Sequence, residues 1–116
     1  MTEIINADYL ARLRGHLGAA VFDELMRDCA LEIVDKMAEI ERCAATEDAE
    51  RVAGLVHDLV GLAGHCGLGG LSAAAADYNR ACRAGAGPDA LDALAALARR
   101  STEALKAEIG RSETGT

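Results

Sequence analysis

Apolar side chains recur every three or four residues along nearly the whole chain, and this spacing limits the possible folds more than any other feature. An α-helix turns once in 3.6 residues, so side chains with this spacing share one face. The chain has 116 residues, of which 51% are hydrophobic, and it contains a single proline, Pro88. Alanine, which occupies twenty-five positions, favours helix over strand. We therefore expect an all-α domain with a modest core rather than a disordered chain.

Capping residues and glycines divide this pattern into five predicted helices. Asn6 precedes the first helix, which Gly15 and Gly18 close, and a long second helix runs from Ala19 to about Ala45. Thr46 marks the start of the third helix, and Gly67 to Gly70 break it. The fourth helix ends near Gly85, and Gly87 to Asp89 open the fifth. Four amphipathic helices with short connections predict an antiparallel four-helix bundle with a short additional N-terminal helix. Residues 1–116 should form one domain with a polar tail at about 111–116.

Composition excludes several classes of function. The net charge of −7 argues against a nucleic-acid surface, which needs a positive field. Ten acidic and three basic residues lie between Phe22 and Glu50, so the acidity belongs to one segment. Three aromatic residues give no platform for base stacking. No apolar run approaches the roughly 20 residues that cross a bilayer, and the first residues lack the basic start and apolar stretch typical of a signal sequence. We expect a cytoplasmic protein that binds neither nucleic acid nor membrane.

Cysteines and histidines give no pattern typical of a metal site. The four cysteines are widely separated, without a CxxC pair, and reduced cysteines usually pack as small hydrophobic residues. We expect them in the core, with metal or redox chemistry as the alternative. His16 and His65 are expected at the surface or at helix ends. A metal- or haem-binding bundle would need inward-facing ligands, and the core stripes offer only cysteines.

The predicted third helix contains three interior glycines on the same face as His57. Gly54, Gly61 and Gly64 lie at −3, +4 and +7 from this histidine, and each costs roughly 1 kcal/mol relative to alanine. Such a bare patch is useful if a partner must bring its backbone, or a phosphoryl group, close to an imidazole. In the alternative interpretation the glycines permit tight helix–helix contact and His57 is an ordinary polar residue.

The segment from Val56 to Leu71 resembles the signature of histidine-containing phosphotransfer (Hpt) domains, roughly A-H-x-L-K-G-[SA]-[SA]-x-x-[LIVF]-G followed by a leucine four residues later. The positions in register are His57, Leu59, Gly61, Ala63, Gly67 and Leu71. The leading helix and the long acidic second helix extend the resemblance over nearly the whole chain. The resemblance implies a carrier in a two-component phosphorelay, with the helical bundle of that family.

The resemblance also implies a role for each part of the site. His57 would accept a phosphoryl group from the aspartate of one receiver domain and pass it to another. The partners would be response-regulator receiver domains and a hybrid sensor histidine kinase. Magnesium would come with the receiver, so no metal or cofactor of its own is expected. Without ATP-binding or autokinase elements the protein would be a monomeric phosphocarrier and not an enzyme. The expected docking residues are Gly54, Asp58, Val60, Gly61 and Gly64.

Two positions depart from the family pattern. Asn79 stands where the family has Gln or Glu, 22 residues after the histidine, and would orient the imidazole; a solvent-facing amide is the alternative. Val60 stands where the family usually has Lys. Valine removes the positive charge of that lysine, which would lower the affinity for phosphate or shorten the lifetime of phosphohistidine. Val60 could instead form an apolar docking patch. Compensation by Arg80 or Arg83 is not established by their positions. These departures leave a second interpretation, an Hpt-like adaptor that binds a kinase or receiver without carrying phosphate.

Overall fold

Five α-helices account for most of the chain that the structure describes, residues 4–85 and 87–110 of a computed structural model. The helices are α1 (Ala7–Leu17), α2 (Ala19–Ala45), α3 (Ala49–His65), α4 (Gly69–Arg83) and α5 (Pro88–Glu108). The described residues form no strand, which confirms the all-α class. The predicted polar tail, residues 111–116, lies outside the described residues.

Helix boundaries confirm most of the predicted signals. The side-chain oxygen of Asn6 accepts a hydrogen bond from the Tyr9 amide at 3.1 Å, as expected for an N-cap. Gly18 ends α1 in the left-handed region with φ 83°, and α2 begins at the next residue. Gly15 lies inside α1, so the prediction that it helps to close this helix is wrong. One interior glycine costs too little, roughly 1 kcal/mol, to stop a helix that its neighbours support.

Two further boundaries differ from the prediction. Thr46 does not start α3; its hydroxyl donates to the Cys43 carbonyl at 3.0 Å and so belongs to the end of α2. Asp48 is the N-cap of α3 and accepts from the Arg51 amide at 3.2 Å. The third helix is also followed by a shorter break than predicted, since α4 already begins at Gly69. Gly67, with φ 75°, suffices to turn the chain.

The core lies between α2, α3, α4 and α5. Helix α2 packs against α3 and α5, α4 packs against the same two helices, and α1 packs against α2. The 27 residues of α2 make it about 40 Å long, which accounts for most of the molecule's long dimension of 49 Å. The largest fully buried side chains are Phe22, Leu10, Met26, Ile33, Ile40, Leu59, Leu68, Leu71, Leu105 and Val56.

The N-terminal segment is fixed to the connection between α3 and α4. The Asn6 amide donates to the Gly67 carbonyl at 2.8 Å, and the Tyr9 hydroxyl donates to the His65 carbonyl at 2.9 Å. A Cβ on Gly67 would lie only 2.9 Å from the Tyr9 ring. The tight approach of α1 therefore depends on glycine at position 67, for contact as well as for backbone conformation.

A polar cluster joins the end of α5 to the α1–α2 corner. Arg14 approaches Glu108 at 3.5 Å, and its guanidinium lies 4.4 Å from the centre of the Phe22 ring. The Gly110 amide donates to buried Asp23 at 3.0 Å. Charged groups this well buried persist only with such partners. The cluster holds the C-terminal end of α5 against the start of α2.

The four cysteines fall into two groups. Cys29 and Cys66 are buried and hydrogen-bonded to each other, and this bond together with burial raises the pKa of Cys66. Cys43 is half-buried, whereas Cys82 is exposed. The expected core position is therefore confirmed for Cys29 and Cys66 and wrong for Cys82, because Cys82 lies in the last turn of α4, beyond the part of that helix that the core covers.

Candidate functional site

His57, Gly54, Gly61 and Gly64 are all exposed on α3 and form one surface, here called the His57 ridge. A Cβ on Gly54 or Gly61 would meet no atom within 4 Å, and one on Gly64 would meet only the Ser72 hydroxyl oxygen, at 3.8 Å. Gly54 and Gly61 therefore do not serve tight contact between helices, the alternative that the spacing left open. The space beside His57 is available to another molecule.

Helix α4 forms one border of the ridge. The Ser72 hydroxyl donates to the Val60 carbonyl at 2.9 Å, and the Asn79 amide donates to the Ala53 carbonyl at 3.1 Å. These two bonds set the register of α3 and α4, which run in opposite directions and place Ala75 and Ala76 at the level of His57. Because α4 presents only methyl side chains there, the imidazole extends past its neighbours.

Asn79 has a partner that the sequence did not predict. Its Nδ2 donates to the Ala53 carbonyl, which lies one helical turn before His57 and accepts the His57 backbone amide in the α-helical pattern. Among the described residues no hydrogen bond joins Asn79 to the imidazole. The amide thus fixes the α3 backbone below His57, and its role in orienting the ring stays a prediction.

Helix α2 forms the opposite border, through ion pairs. Lys36 lies 3.8 Å from Asp58, and Arg51 lies 3.7 Å from Glu39. Both pairs are partly exposed, so each contributes little to stability, about 0–1 kcal/mol. Asp58, expected to be a docking residue, is exposed but already engaged by Lys36.

Three cations near the ridge are each paired with a carboxylate. At the α4 border Arg80 pairs with Asp77. At the α2 border the two ion pairs described above engage Lys36 and Arg51. Val60 is half-buried on the α4 border, where it adds apolar surface and no charge. Because Lys36, Arg51 and Arg80 are each paired, none of the three is a free cation that could replace a lysine at position 60.

The sequence singled out His57 and the three glycines, which lie together on one exposed face, but it did not indicate the residues that border them. Ser72 was missed, although a single hydroxyl residue inside a run of glycine, leucine and alanine was a usable signal. Lys36 and Glu39 were missed because their sequence positions lie far from His57 and only the packing of α2 on α3 brings them near. His16 and His65 are exposed, as predicted.

Neither a metal centre nor a membrane span is found in the described ranges. No three His, Cys, Asp or Glu side chains in residues 4–85 and 87–110 are grouped so that they could hold a metal ion. No helix in the same ranges is long and apolar enough to cross a bilayer.

Comparisons with protein-family models, with curated proteins and with solved structures found no match to this chain. The chemistry of the site must therefore be inferred from His57 and its surroundings.

Proposed function

We propose that the chain is a histidine phosphotransfer domain whose His57 carries a phosphoryl group between receiver-domain aspartates. One observation supports this most strongly: His57 is exposed on a ridge whose glycines at 54 and 61 face open space. Interior glycines that reduce helix stability without improving packing are explained if a partner's backbone must come close to the imidazole.

The proposed architecture is an antiparallel four-helix bundle with α1 as an additional N-terminal helix. The contacts of α2 with α3, α3 with α4, α4 with α5 and α5 with α2 form a closed ring of neighbours. Such a ring, joined by short connections between consecutive helices, is typical of an up-and-down bundle. This architecture supports the resemblance to Hpt domains and places the His57 ridge on an outer face.

The proposed reaction needs only an accessible imidazole from this chain. A ring nitrogen of His57 with a free lone pair attacks the phosphorus of the partner's aspartyl phosphate in line. The nitrogen–phosphorus bond forms as the phosphorus–oxygen bond breaks, and the aspartate leaves as a carboxylate. The reverse sequence delivers the group to the next receiver, whose magnesium ion offsets the phosphoryl charge.

The partners, oligomeric state and location proposed for this chain follow from its limited part in the reaction. Receiver domains and a hybrid sensor kinase are the proposed partners, and the chain is a monomeric cytoplasmic carrier without a cofactor of its own. It is not an enzyme in the usual sense, because the partners return it to its starting state.

A second candidate is an adaptor of the same fold that binds a kinase or receiver without carrying phosphate. Two observations favour it: the Asn79 amide is engaged with the Ala53 carbonyl, and the cations Lys36, Arg51 and Arg80 are each paired. Both reduce the hydrogen-bond donors and free positive charges near His57 that could bind a phosphoryl group. In this case binding and signalling would survive the loss of His57.

Phosphotransfer from purified, radiolabelled receiver domains of the source organism separates the two candidates. We expect at least one receiver to label the wild-type protein within a short incubation, and His57→Gln to remove the label. His65→Gln and His16→Gln are matched controls, since both histidines are exposed, and they should keep it. Absence of label from every receiver, with signalling intact in a His57→Gln strain, would establish the adaptor instead.

A further inference from the structure

A groove of about 840 Å³ opens at one end of the molecule, where the C-terminal ends of α2 and α4 meet the N-terminal ends of α3 and α5. We call it the end groove. Its floor consists of Val52 and Tyr78, which are buried, and half-buried Leu91. The walls are mainly small residues: Ala44, Ala45, Ala49, Ala53, Cys82 and Gly87. Because these side chains are short, four helix ends meet without filling the space between them.

The end groove is open, unlike a closed small-molecule pocket. Ten of its sixteen lining residues are exposed, and only two are buried. Ligand pockets enclose most of the surface of a small ligand, whereas an open groove with an apolar floor suits a polypeptide segment laid along it.

Charge indicates the kind of segment. Four lining residues are acidic, Glu41, Glu47, Asp48 and Asp92, and one is basic, Arg83, which gives the lining a net charge of −3 (four carboxylates against one guanidinium). None of these four carboxylates forms an ion pair among the described residues. Carboxylates around an apolar floor complement a segment that is apolar on one face and cationic on the other.

We propose that the end groove binds a basic amphipathic segment of a protein partner. A second copy of this chain fits poorly, because its net charge is −7 and the copies would repel each other here. Ala53 and Asn79 line the groove and are also joined beneath His57. A partner seated on the His57 ridge can therefore place a flanking basic segment in the groove. This docking goes beyond the proposed function, since it does not require phosphate on His57.

The test uses the full chain, labelled with nitrogen-15, and a synthetic leucine–lysine peptide of about five helical turns with its leucines on one face. We expect amide shifts to cluster at the end groove and the affinity to fall as salt is added. A peptide with glutamate in place of every lysine should not bind. The variant Glu41→Lys/Asp92→Lys should weaken binding by about 10-fold or more, a change of roughly 1.4 kcal/mol.

The matched control is Glu24→Lys/Glu103→Lys, which changes the net charge equally at exposed positions outside the groove. It should weaken binding much less than the groove variant. Equal weakening by both variants, equal binding of the acidic peptide, or shifts away from the groove would overturn the proposal, as would self-association through these residues. Labelling of His57 by receivers is measured separately, so a groove that binds nothing leaves the phosphotransfer result unaffected.

Discussion

At the scale of single residues, the glycines of α3 are the clearest departure from a sequence optimised for stability. Gly54, Gly61 and Gly64 together cost roughly 3 kcal/mol relative to alanine, and a small domain is stable by only about 5–15 kcal/mol. At Gly54 and Gly61 no internal contact compensates, because a Cβ there meets open space. Under the proposed function, this cost is explained by a partner that approaches His57 from outside.

Alanine substitution separates stability from docking. Gly61 and Gly15 both lie inside helices, and a Cβ at either position would meet open space. Gly61→Ala and Gly15→Ala should therefore each raise the free energy of unfolding by roughly 1 kcal/mol. Only Gly61→Ala should slow phosphotransfer from a receiver, and Gly61→Gln should slow it further. Denaturant unfolding and transfer rates check the two effects. Equal transfer rates in all three variants would show that the ridge is not a docking surface.

Val60 gives a prediction about the phosphorylated state. Val60→Lys should lengthen the half-life of phosphohistidine by roughly 1.5- to 5-fold, the effect of an exposed ion pair of ~0.2–1 kcal/mol. The half-life is followed as loss of radiolabel from the isolated phosphoprotein. Ala107→Lys adds the same charge at an exposed position on α5 and should leave the half-life unchanged; an equal gain there would indicate a general charge effect.

Tyr78 links stability to alkaline pH. Burial, and then a hydrogen bond with the Cys82 thiol, raises the pKa of Tyr78 to about 12, against about 10 in an unfolded chain. Below pH 10 both states keep the proton. Between pH 10 and 12 the Tyr78 hydroxyl loses its proton in the unfolded state but keeps it in the folded state. The free energy of unfolding therefore falls as the pH rises through this range. Tyr78→Phe should show a shallower loss of unfolding free energy over this range, and an identical slope would contradict the assignment.

At the scale of the helices, short-range signals were read correctly where one residue decides the local structure. Asn6 caps α1, and Pro88 opens α5 behind Gly87. The errors arose where two candidates competed: Thr46 and Asp48 can both cap a helix, and Gly15 and Gly18 can both end one. For Thr46 and Asp48 the outcome depends on where α3 begins, and for Gly15 the cost of one interior glycine is too small to end α1.

Gly67 tests how α1 is held. Gly67→Ala should lower the free energy of unfolding by about 2–4 kcal/mol, through strain at positive φ and overpacking against Tyr9 and Leu10. Gly85→Ala is the matched control, because Gly85 has φ 88° but open space around a Cβ. Its free energy of unfolding should fall only by the cost of the strain at positive φ, about 1–2 kcal/mol. Equal losses in thermal or denaturant unfolding would show that the contact with α1 contributes nothing.

At the scale of the whole molecule, the sequence predicted the all-α class and a face of α3 on which His57 and three glycines are exposed, but not the surroundings that long-range packing creates. The partner of Asn79 depends on the register of α4 against α3, and the ion pair of Lys36 with Asp58 depends on how α2 lies on α3. The end groove was not predicted at all, because it exists only where four helix ends meet. Such features require the relative positions of helices, which periodicity does not give.

The measurement that tests the central claim most directly is the site of phosphorylation. The protein is incubated with a phosphorylated receiver, digested at neutral to alkaline pH where phosphohistidine survives, and mapped by mass spectrometry. We expect the phosphate on His57 and on neither His16 nor His65. Phosphate on another residue, or no phosphate after incubation with every receiver of the source organism, would contradict the proposal that this chain is a phosphocarrier.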